Sequence, residues 1–375
     1  MSEQFPPSPP AQPYPTTPGW DVPEPRRRRR FPWGLAIGVI VFGALGFGAL
    51  MPLPYVIESP GPTYNTIGSV QDKRLISVSG HESFTPQGQL DLTTVYVTGG
   101  PSGRVTALDL LQAFFDSSKA VYNVDDIFPK GTTQQEEQKQ NAADMTSSQE
   151  NATAAALTEL KIPFSQSFEI AVTMPKSPAE GKLKAGDVLE SIDGKPVATL
   201  AEVRDALDAS KGNAITVVAK RGSSPVTVKV TPTKDSTGRY VMGVGLKYDF
   251  DFPFSVKYQL DQVGGPSAGM MFTLGVIDYL SPGDLTGGKH IAGTGTISPD
   301  GTVGPIGGIA QKMFGAKAAG AGLFLAPASN CNDVVGHVPG GLTVVKVDTL
   351  KDALAAVDTY AKGGDLSKLP ACTAG

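Results

Sequence analysis

Runs of basic residues are absent beyond the first thirty positions, and the chain of 375 residues carries a net charge of -4. A protein that binds the nucleic-acid backbone usually presents a concentrated basic face. The basic residues cluster at Arg26 to Arg30 and nowhere else as a run. The composition therefore argues against nucleic acid as the main partner.

Histidine and cysteine are also rare. The three histidines, His81, His290 and His337, do not stand in a sequence setting typical of a Ser-His-Asp triad, so a Ser–His site is only a minor alternative. Cys331 and Cys372 form either one disulfide that ties the C-terminal tail to the body or two free thiols. We predict no metal site and no cofactor.

The chain lacks the Gly-x-x-x-x-Gly-Lys-Ser/Thr pattern that binds nucleotide phosphates and magnesium. Its glycine-rich segments "GGPSAGMM" and "GPIGGIAQK" have no paired lysine and hydroxyl at that spacing. We therefore expect no ATP-driven activity from this chain.

Charge is absent from 31–57, "FPWGLAIGVIVFGALGFGALMPLPYVI", a run long enough to cross a bilayer as one helix. The arginines before it favour a cytoplasmic N-terminus, which places everything after Glu58 outside the cytoplasm. A cleaved signal peptide and a buried core helix are the alternatives. Residues 1–30 are proline-rich and are predicted to be a disordered cytoplasmic tail.

Several elements are predicted beyond the apolar run. "LISVSGHESFTPQGQLDLTTVYVTGG" alternates like a strand pair. "RVTALDLLQAFFD" and "NAADMTSSQENATAAALTELK" have helical spacing, and the polar "KGTTQQEEQKQ" between them predicts a mobile connection.

Residues 161–234 form a distinct unit of short strands and one helix, predicted from Leu200 to Ala209. The run "SPAEGKLKAGDVLESIDGKPV" resembles the PDZ domains of bacterial proteases. A PDZ fold binds an extended peptide at an open sheet edge and its terminal carboxylate on backbone N–H groups. The unit lacks a clear Gly-Leu-Gly-Phe type carboxylate loop, and "FEIAVTMP", or the less favoured "GVGL", is the candidate replacement. Whether the unit binds C-termini to select substrates or holds the active site closed until a peptide binds stays open.

Ser267 follows two glycines and a proline and precedes an apolar run of helical character, "SAGMMFTLGVIDYL". Gly264, Gly265 and Pro266 remove bulk and shape a turn, so a substrate backbone could approach the hydroxyl. Amide groups at a helix N-terminus stabilise an oxyanion, and Ala268 is a candidate donor. The alternative is that Ser267 only caps the helix.

Lys312 is the predicted base for Ser267. Ile306, Ile309 and Met313 share an apolar helical face beside it, so burial should lower the lysine pKa and leave a neutral amine. A neutral amine can take the serine proton, which makes a Ser–Lys dyad workable. The alternative is a lysine that snorkels to water.

"GGPSAG" followed 45 residues later by the lysine of "GPIGGIAQK" resembles the proteolytic domain of the Lon family. "MTSSQENATAAAL" is similar to a helix of that domain. The resemblance implies a Ser267–Lys312 dyad, with Thr294 supporting the amine and a homohexameric ring. Gly264 or Gly265 stands where many Lon enzymes have an acidic residue, so we assign no third acidic member.

The resemblance implies an α+β fold in which a PDZ domain, 161–234, is inserted into a Lon-type protease domain, 58–160 and 235–363, followed by a tail, 364–375. The whole layout resembles the bacterial membrane-anchored PDZ-containing Lon-like proteases. We predict an ATP-independent serine endopeptidase that cleaves flexible or unfolded extracytoplasmic proteins. A non-cleaving membrane-tethered PDZ scaffold is the alternative, and a sheddase with one dedicated membrane substrate differs only in substrate.

Overall fold

The structure is a computed structural model that describes two long stretches and three single positions, namely 51–260, 263–373, Pro10, Gly38 and Gly43. Of Ser102 only the backbone is described. Except for Pro10, the expected cytoplasmic tail, 1–30, lies outside the described residues. Most of the expected membrane helix, 31–57, lies outside them as well. In the part that is described, no helix is both long and apolar enough to cross a bilayer.

The C-terminal limit of the expected membrane helix, residue 57, is wrong. Residues Tyr55–Asn65 form strand β1. Strand backbone from Tyr55 onward pairs with two other strands, so a helix cannot extend over 55–57.

Eight α-helices occur in the described stretches: α1 (Ala107–Phe114), α2 (Val124–Ile127), α3 (Gln134–Glu159), α4 (Leu200–Ser210), α5 (Gly269–Leu280), α6 (Ile309–Ala319), α7 (Cys331–Val334) and α8 (Leu350–Ala361). Four of them start with a reciprocal capping box, in which a threonine hydroxyl accepts from the third backbone N–H and an acidic side chain binds back. These threonines are Thr106, Thr133, Thr199 and Thr349.

The strands after β1 are β2 (Ser69–Val70), β3 (Lys73–Arg74), β4 (Ile76–Ser79), β5 (Gln89–Gly99), β6 (Ala120–Asn123), β7 (Ser165–Thr173), β8 (Asp187–Ile192), β9 (Lys195–Pro196), β10 (Ile215–Arg221), β11 (Ser224–Val230), β12 (Thr233–Lys234), β13 (Tyr240–Val241), β14 (Val244–Asp251), β15 (Ser255–Tyr258), β16 (His290–Gly293), β17 (Thr296–Ile297), β18 (Val303–Gly304), β19 (Leu323–Pro327) and β20 (Thr343–Val347). Short 3₁₀ turns cover Gly100–Ser102, Ala328–Asn330 and Leu366–Lys368.

A mixed six-stranded sheet has the order β20-β19-β16-β5-β1-β6. The pairs among β5, β16, β19 and β20 are parallel, whereas β1 runs antiparallel to β5 and β6. Strands from both ends of the described chain therefore share one sheet, although about 190 residues separate β5 from β16. Strands β4 and β15 also pair, antiparallel, although the segment that contains β7 to β14 lies between them in the chain.

Helices cover both faces of this sheet. Helix α5 is buried along its whole length and packs with α3 and α8 against Leu90, Leu92 and Leu325. Phe324, the strand neighbour of Leu325, points to the opposite face, where it packs with α6. Two apolar layers thus sandwich the sheet, and α5 and α6 approach it from opposite sides.

The intervening segment has its own sheet, of order β11-β10-β8-β7-β14, and its own core around Phe168, Leu189 and Val217. The expected boundary at residue 234 falls short, because strand β14 completes this sheet along β7. The chain enters this unit after α3 and leaves it before β15. The unit is therefore inserted between two parts of the larger sheet domain.

Two local expectations are wrong. Strands β4 and β5 do not pair with each other, because β4 pairs with β15 and β5 lies between β1 and β16. The polar segment expected to be a mobile connection is helical from Gln134, where the capping box of Thr133 and Glu136 starts α3.

The helix predicted from Leu200 is confirmed as α4, which ends at Ser210, one residue later than expected.

The two cysteines form one disulfide, between Cys331 at the start of α7 and Cys372 in the tail. The disulfide alternative is therefore the one the structure shows, and the free-thiol alternative is wrong. A backbone hydrogen bond from Lys346 N–H to Pro370 also holds the tail against strand β20.

Candidate active site

The loop before α5 is held by helix α3. Gly265 N–H donates to the Asn141 carbonyl at 3.0 Å, and Ser148 Oγ donates to the Pro266 carbonyl at 3.0 Å. A Cβ on Gly264 would lie 2.6 Å from Asn141 Cβ, and Gly265 has a φ of 85° in the left-handed region. The paired glycines therefore serve close packing on α3 and the turn that presents Ser267.

Ser267 does not cap helix α5. Ala268 is the N-cap residue, and no side chain makes the capping hydrogen bond, so the capping alternative is wrong. The Ser267 carbonyl accepts from Gly295 N–H at 2.8 Å and from Thr294 Oγ1 at 3.1 Å. Among described residues, nothing hydrogen-bonds the Ser267 hydroxyl, which is half-buried on the wall of a cleft.

Lys312 lies in the first turns of α6, and only 3% of its surface is exposed. Its Nζ donates to Thr294 Oγ1 at 3.2 Å. The snorkelling alternative is therefore wrong. Burial lowers the pKa of Lys312 from its ordinary 10.5 to about 7, because desolvation penalises the ammonium form.

Ser267 and Lys312 line the same cleft, which has a volume of about 260 Å³. Tyr64, Thr93, Tyr96 and Met145 form other parts of its wall. Thr294, fully buried just after strand β16, connects the two residues by accepting from the lysine amine and donating to the serine carbonyl. The Ser267 hydroxyl and the Lys312 amine are not hydrogen-bonded to each other.

Glu58 is a site residue that the sequence analysis missed. It lies on β1, is only 7% exposed, and burial raises its pKa while the nearby Lys312 opposes that shift. In return the negative charge of Glu58 raises the pKa of Lys312, although burial outweighs it. Its Oε2 lies beside Gly308, the N-cap of α6, where a Cβ would come within 3.0 Å.

The signal for Glu58 was weak. The residue directly follows the apolar run, and no motif marks it as part of a site. Only the pairing of β1 with β5, together with the packing of α6 on that sheet face, brings its carboxylate near the lysine.

None of the three histidines hydrogen-bonds Ser267 in the described residues. His290 Nε2 pairs with the buried Asp91 carboxylate at 2.9 Å, and Thr63 Oγ1 donates to the same Asp91 oxygen at 2.9 Å. His81 is exposed and contacts the Glu82 carbonyl. The geometry therefore favours the lysine over any histidine as partner of the serine. The described stretches also hold no group of three or more His, Cys, Asp or Glu arranged to bind a metal.

A second cleft, of about 400 Å³, lies between α4 and the edge strand β14 of the inserted unit. Leu200, Leu207, Met242, Val244 and Leu246 contribute its apolar wall. "GVGL" begins at Gly243, whose φ is 75°, and leads into β14 on the cleft wall. "FEIAVT" instead belongs to β7, which lies inside the sheet, paired with β14 along its length and with β8 at Phe168 and Glu169, so the segment favoured from the sequence is not an edge strand.

Comparison with known protein families agrees with this division of the chain. The family described as PDZ domain matches residues 169–221, and the family described as Lon protease (S16) C-terminal proteolytic domain matches residues 262–358. The chain therefore contains a PDZ domain and a Lon-type protease domain in a mixed α/β architecture.

Individual relatives match over short stretches. Lon protease 1 of Sorangium cellulosum is 40% identical over 94 residues, which is 24% of this chain and 11% of that protein. Lon protease of Clostridium beijerinckii is 39% identical over 94 residues, again 24% and 11%. The chain thus covers about a tenth of the length of these relatives. Among solved structures, the PDZ domain of the SdrC-like protein Lin2157 from Listeria innocua is 24% identical, with a TM-score of 0.21, over 21% of this chain and 92% of that one.

Proposed function

We propose that this protein is an ATP-independent serine endopeptidase with a Ser267–Lys312 dyad, anchored in the membrane by the part of the apolar run that precedes Tyr55. The observation that carries the proposal is a buried amine with a pKa of about 7 on the same cleft wall as an unbonded serine hydroxyl. At neutral pH much of such an amine is uncharged and can accept a proton.

In the first step Ser267 Oγ attacks the carbonyl carbon of the substrate peptide, and Lys312 Nζ takes the hydroxyl proton. The tetrahedral intermediate collapses as the lysine ammonium passes that proton to the leaving amine, which gives an acyl-enzyme. Hydrogen bonds between catalytic groups tighten when substrate fills a site, which accounts for the separate hydroxyl and amine here.

In the second step Lys312 takes a proton from water as the water oxygen attacks the ester carbonyl, and the proton returns to Ser267 Oγ as the acid product leaves. The backbone N–H of Ala268, at the N-terminus of α5, is the proposed oxyanion donor, beside the loop residues Gly264, Gly265 and Pro266. Loss of one such donor costs about 3–4 kcal/mol of transition-state stabilisation in other hydrolases.

The proposed substrates are flexible or unfolded proteins outside the cytoplasm. The PDZ domain would select them by adding an extended C-terminal segment to the edge of β14, with an apolar end residue between Leu200, Leu207 and Val244. Terminal carboxylate binding would use backbone N–H groups of the "GVGL" turn. No nucleic acid and no ATP enter this scheme.

Two features support an extracytoplasmic location for the catalytic domain. The arginine run Arg26 to Arg30 precedes the apolar segment, as in helices that leave their N-terminus in the cytoplasm. The disulfide between Cys331 and Cys372 is typical of oxidising compartments. A homohexameric ring remains part of the proposal through the Lon resemblance.

The proposal is tested with the full chain in detergent micelles and an unstructured protein as substrate. Ser267→Ala and Lys312→Ala should each lower kcat/KM by about 1,000-fold or more, and the double variant should be no worse, because the two groups act as a unit. Equal cleavage by all variants would exclude the dyad. Binding of the substrate by the native chain without cleavage would instead favour the scaffold.

A further inference from the structure

Helix α1 is apolar on two opposite faces. On the inner face Leu110 and Ala113 pack against Ile57 and Val105 in a small buried cluster. A soluble surface helix normally turns polar residues outward opposite such a face. Here the outward face carries large exposed apolar side chains instead.

The outward residues define the α1 patch, which consists of Leu108, Leu111, Phe114 and Phe115. The two leucines are 52% and 56% exposed, and the two phenylalanines are 81% and 80% exposed. Phe114 and Phe115 contact each other edge to face, with ring centroids 5.4 Å apart. Contiguous exposed apolar groups of this size mark sites of interaction with a protein or a membrane.

The α1 patch lies next to the point where the described chain begins. Leu53 N–H donates to the Val105 carbonyl at 2.8 Å, and Val105 immediately precedes Thr106, the N-cap of α1. Pro54 accepts from Val124 N–H at 3.1 Å, which ties the segment after the patch to the same place. The uncharged run that starts at Phe31 ends in this segment.

We propose that the α1 patch rests in the outer surface of the bilayer that the apolar run crosses, with Phe114 and Phe115 between the lipid headgroups. This inference rests on the proposed membrane anchor. The apolar run continues along the chain into Leu53 and Pro54 beside α1, so in a chain anchored by this run insertion of the patch would need no free association step. Exposed leucine and phenylalanine side chains on a helix face are suited to the headgroup boundary.

A second copy of the chain is the less suitable occupant. Helix α1 has eight residues and is about 12 Å long, whereas a stable protein interface buries about 800 Å² on each partner. Four side chains on so short a helix provide only part of that area. A bilayer makes no such demand on the size of the contact.

The test uses single-cysteine labelling of the full chain in phosphatidylcholine vesicles. The two native cysteines are joined in a disulfide, so Leu111→Cys and Phe114→Cys each add one free thiol for a polarity-sensitive fluorophore. Val172→Cys, on the PDZ strand β7 and 51% exposed in the native chain, is the matched control. Labels at 111 and 114 should shift to blue emission and be quenched by lipids that carry a spin label near the headgroup, whereas the label at 172 should not.

Three outcomes would overturn the proposed docking of the α1 patch. Labels at 111 and 114 that stay as water-exposed as the label at 172, in protein that floats with the vesicles, would overturn the docking and leave the anchor intact. Labels that are shielded yet unquenched by lipid, and that transfer energy between differently labelled copies, would overturn it in favour of self-association. Protein that fails to float would overturn both the docking and the anchor.

Discussion

Lys312 Nζ donates to Thr294 Oγ1 at 3.2 Å, and Thr294 Oγ1 in turn donates to the Ser267 carbonyl at 3.1 Å. A threonine hydroxyl has one proton, and here that proton is used on the serine carbonyl. The hydroxyl must therefore accept a hydrogen bond from the lysine. The amine donates one N–H to Thr294 and keeps its lone pair free. In the proposed mechanism, Thr294 therefore orients the amine as a proton acceptor for Ser267.

Replacing Thr294 tests this orienting role. Thr294→Val keeps the shape but removes both hydrogen bonds, and kcat/KM should fall by about 100-fold because the amine is misplaced. Thr294→Ser keeps the hydroxyl and should retain most of the activity. Steady-state cleavage of an unstructured substrate measures both variants. Similar losses in the two variants would point to packing of the methyl group as the important property.

The pH dependence of cleavage should report the amine of Lys312. Burial lowers its pKa to about 7, and only the neutral form accepts the serine proton, so kcat/KM should rise with pH through about 7 and then level off. Glu58→Gln removes the negative charge that raises the lysine pKa, so the rising limb should move to lower pH. An unmoved limb would show that Glu58 is neutral or does not influence the amine.

Burial of the Lys312 amine should lower the free energy of unfolding of the protein. Between pH 7 and 10.5 the unfolded chain binds a proton that the folded chain does not, so stability rises with pH over this window and is lowest below it. Lys312→Met should therefore raise the free energy of unfolding by about 0.5–2 kcal/mol at pH 6 and change it little above pH 10.5. Denaturant unfolding at a series of pH values measures this. A destabilised variant at pH 6 would contradict the buried neutral amine.

Gly264→Ala should disturb the loop that presents Ser267. The new Cβ would lie 2.6 Å from Asn141 Cβ, so the loop must move and kcat/KM should fall roughly tenfold or more. Adding Asn141→Gly removes that contact and keeps the backbone bond to Gly265, so activity should partly return. Gly340→Ala is the matched control, because nothing lies within 4 Å of its added Cβ. Full activity of Gly264→Ala would show that the loop accommodates the added Cβ without displacing Ser267.

Leu200→Asp should separate substrate selection from cleavage. It places a charge in the apolar cleft of the PDZ domain, at the first turn of α4 where an acidic residue is tolerated. Binding of a protein substrate with an apolar C-terminus should weaken about tenfold, or about 1.4 kcal/mol. Ala201→Asp adds the same charge at the neighbouring exposed position and should change nothing.

A short peptide without an apolar C-terminus should be cleaved equally by native chain and Leu200→Asp. If this peptide were affected as strongly as the protein substrate, the domain would act as a gate on the active site rather than as a selector.

Local patterns predicted elements well where the signal lay within one segment. The helix predicted from Leu200, the apolar helix α5, and the positions of Ser267 and Lys312 in their motifs could all be predicted from the sequence. The N-terminal part of α3 was missed because its residues are polar and show no apolar period, although Thr133 and Glu136 carry the capping-box spacing. Strands β4 and β5 were paired wrongly because alternation indicates a strand but not its partner.

By itself the sequence determined which residue types stand in the two glycine-rich motifs, that an uncharged run precedes the folded part, and that a separate unit interrupts the chain before both motifs. These properties are local in the chain. The tertiary structure alone decided that Thr294 joins the amine to the serine loop, that Glu58 lies near Lys312, and that β14 is the edge strand beside the cleft of the PDZ domain. Each of these depends on strands or helices far apart in sequence being paired in one sheet or packed on one face, and no local pattern encodes such pairings.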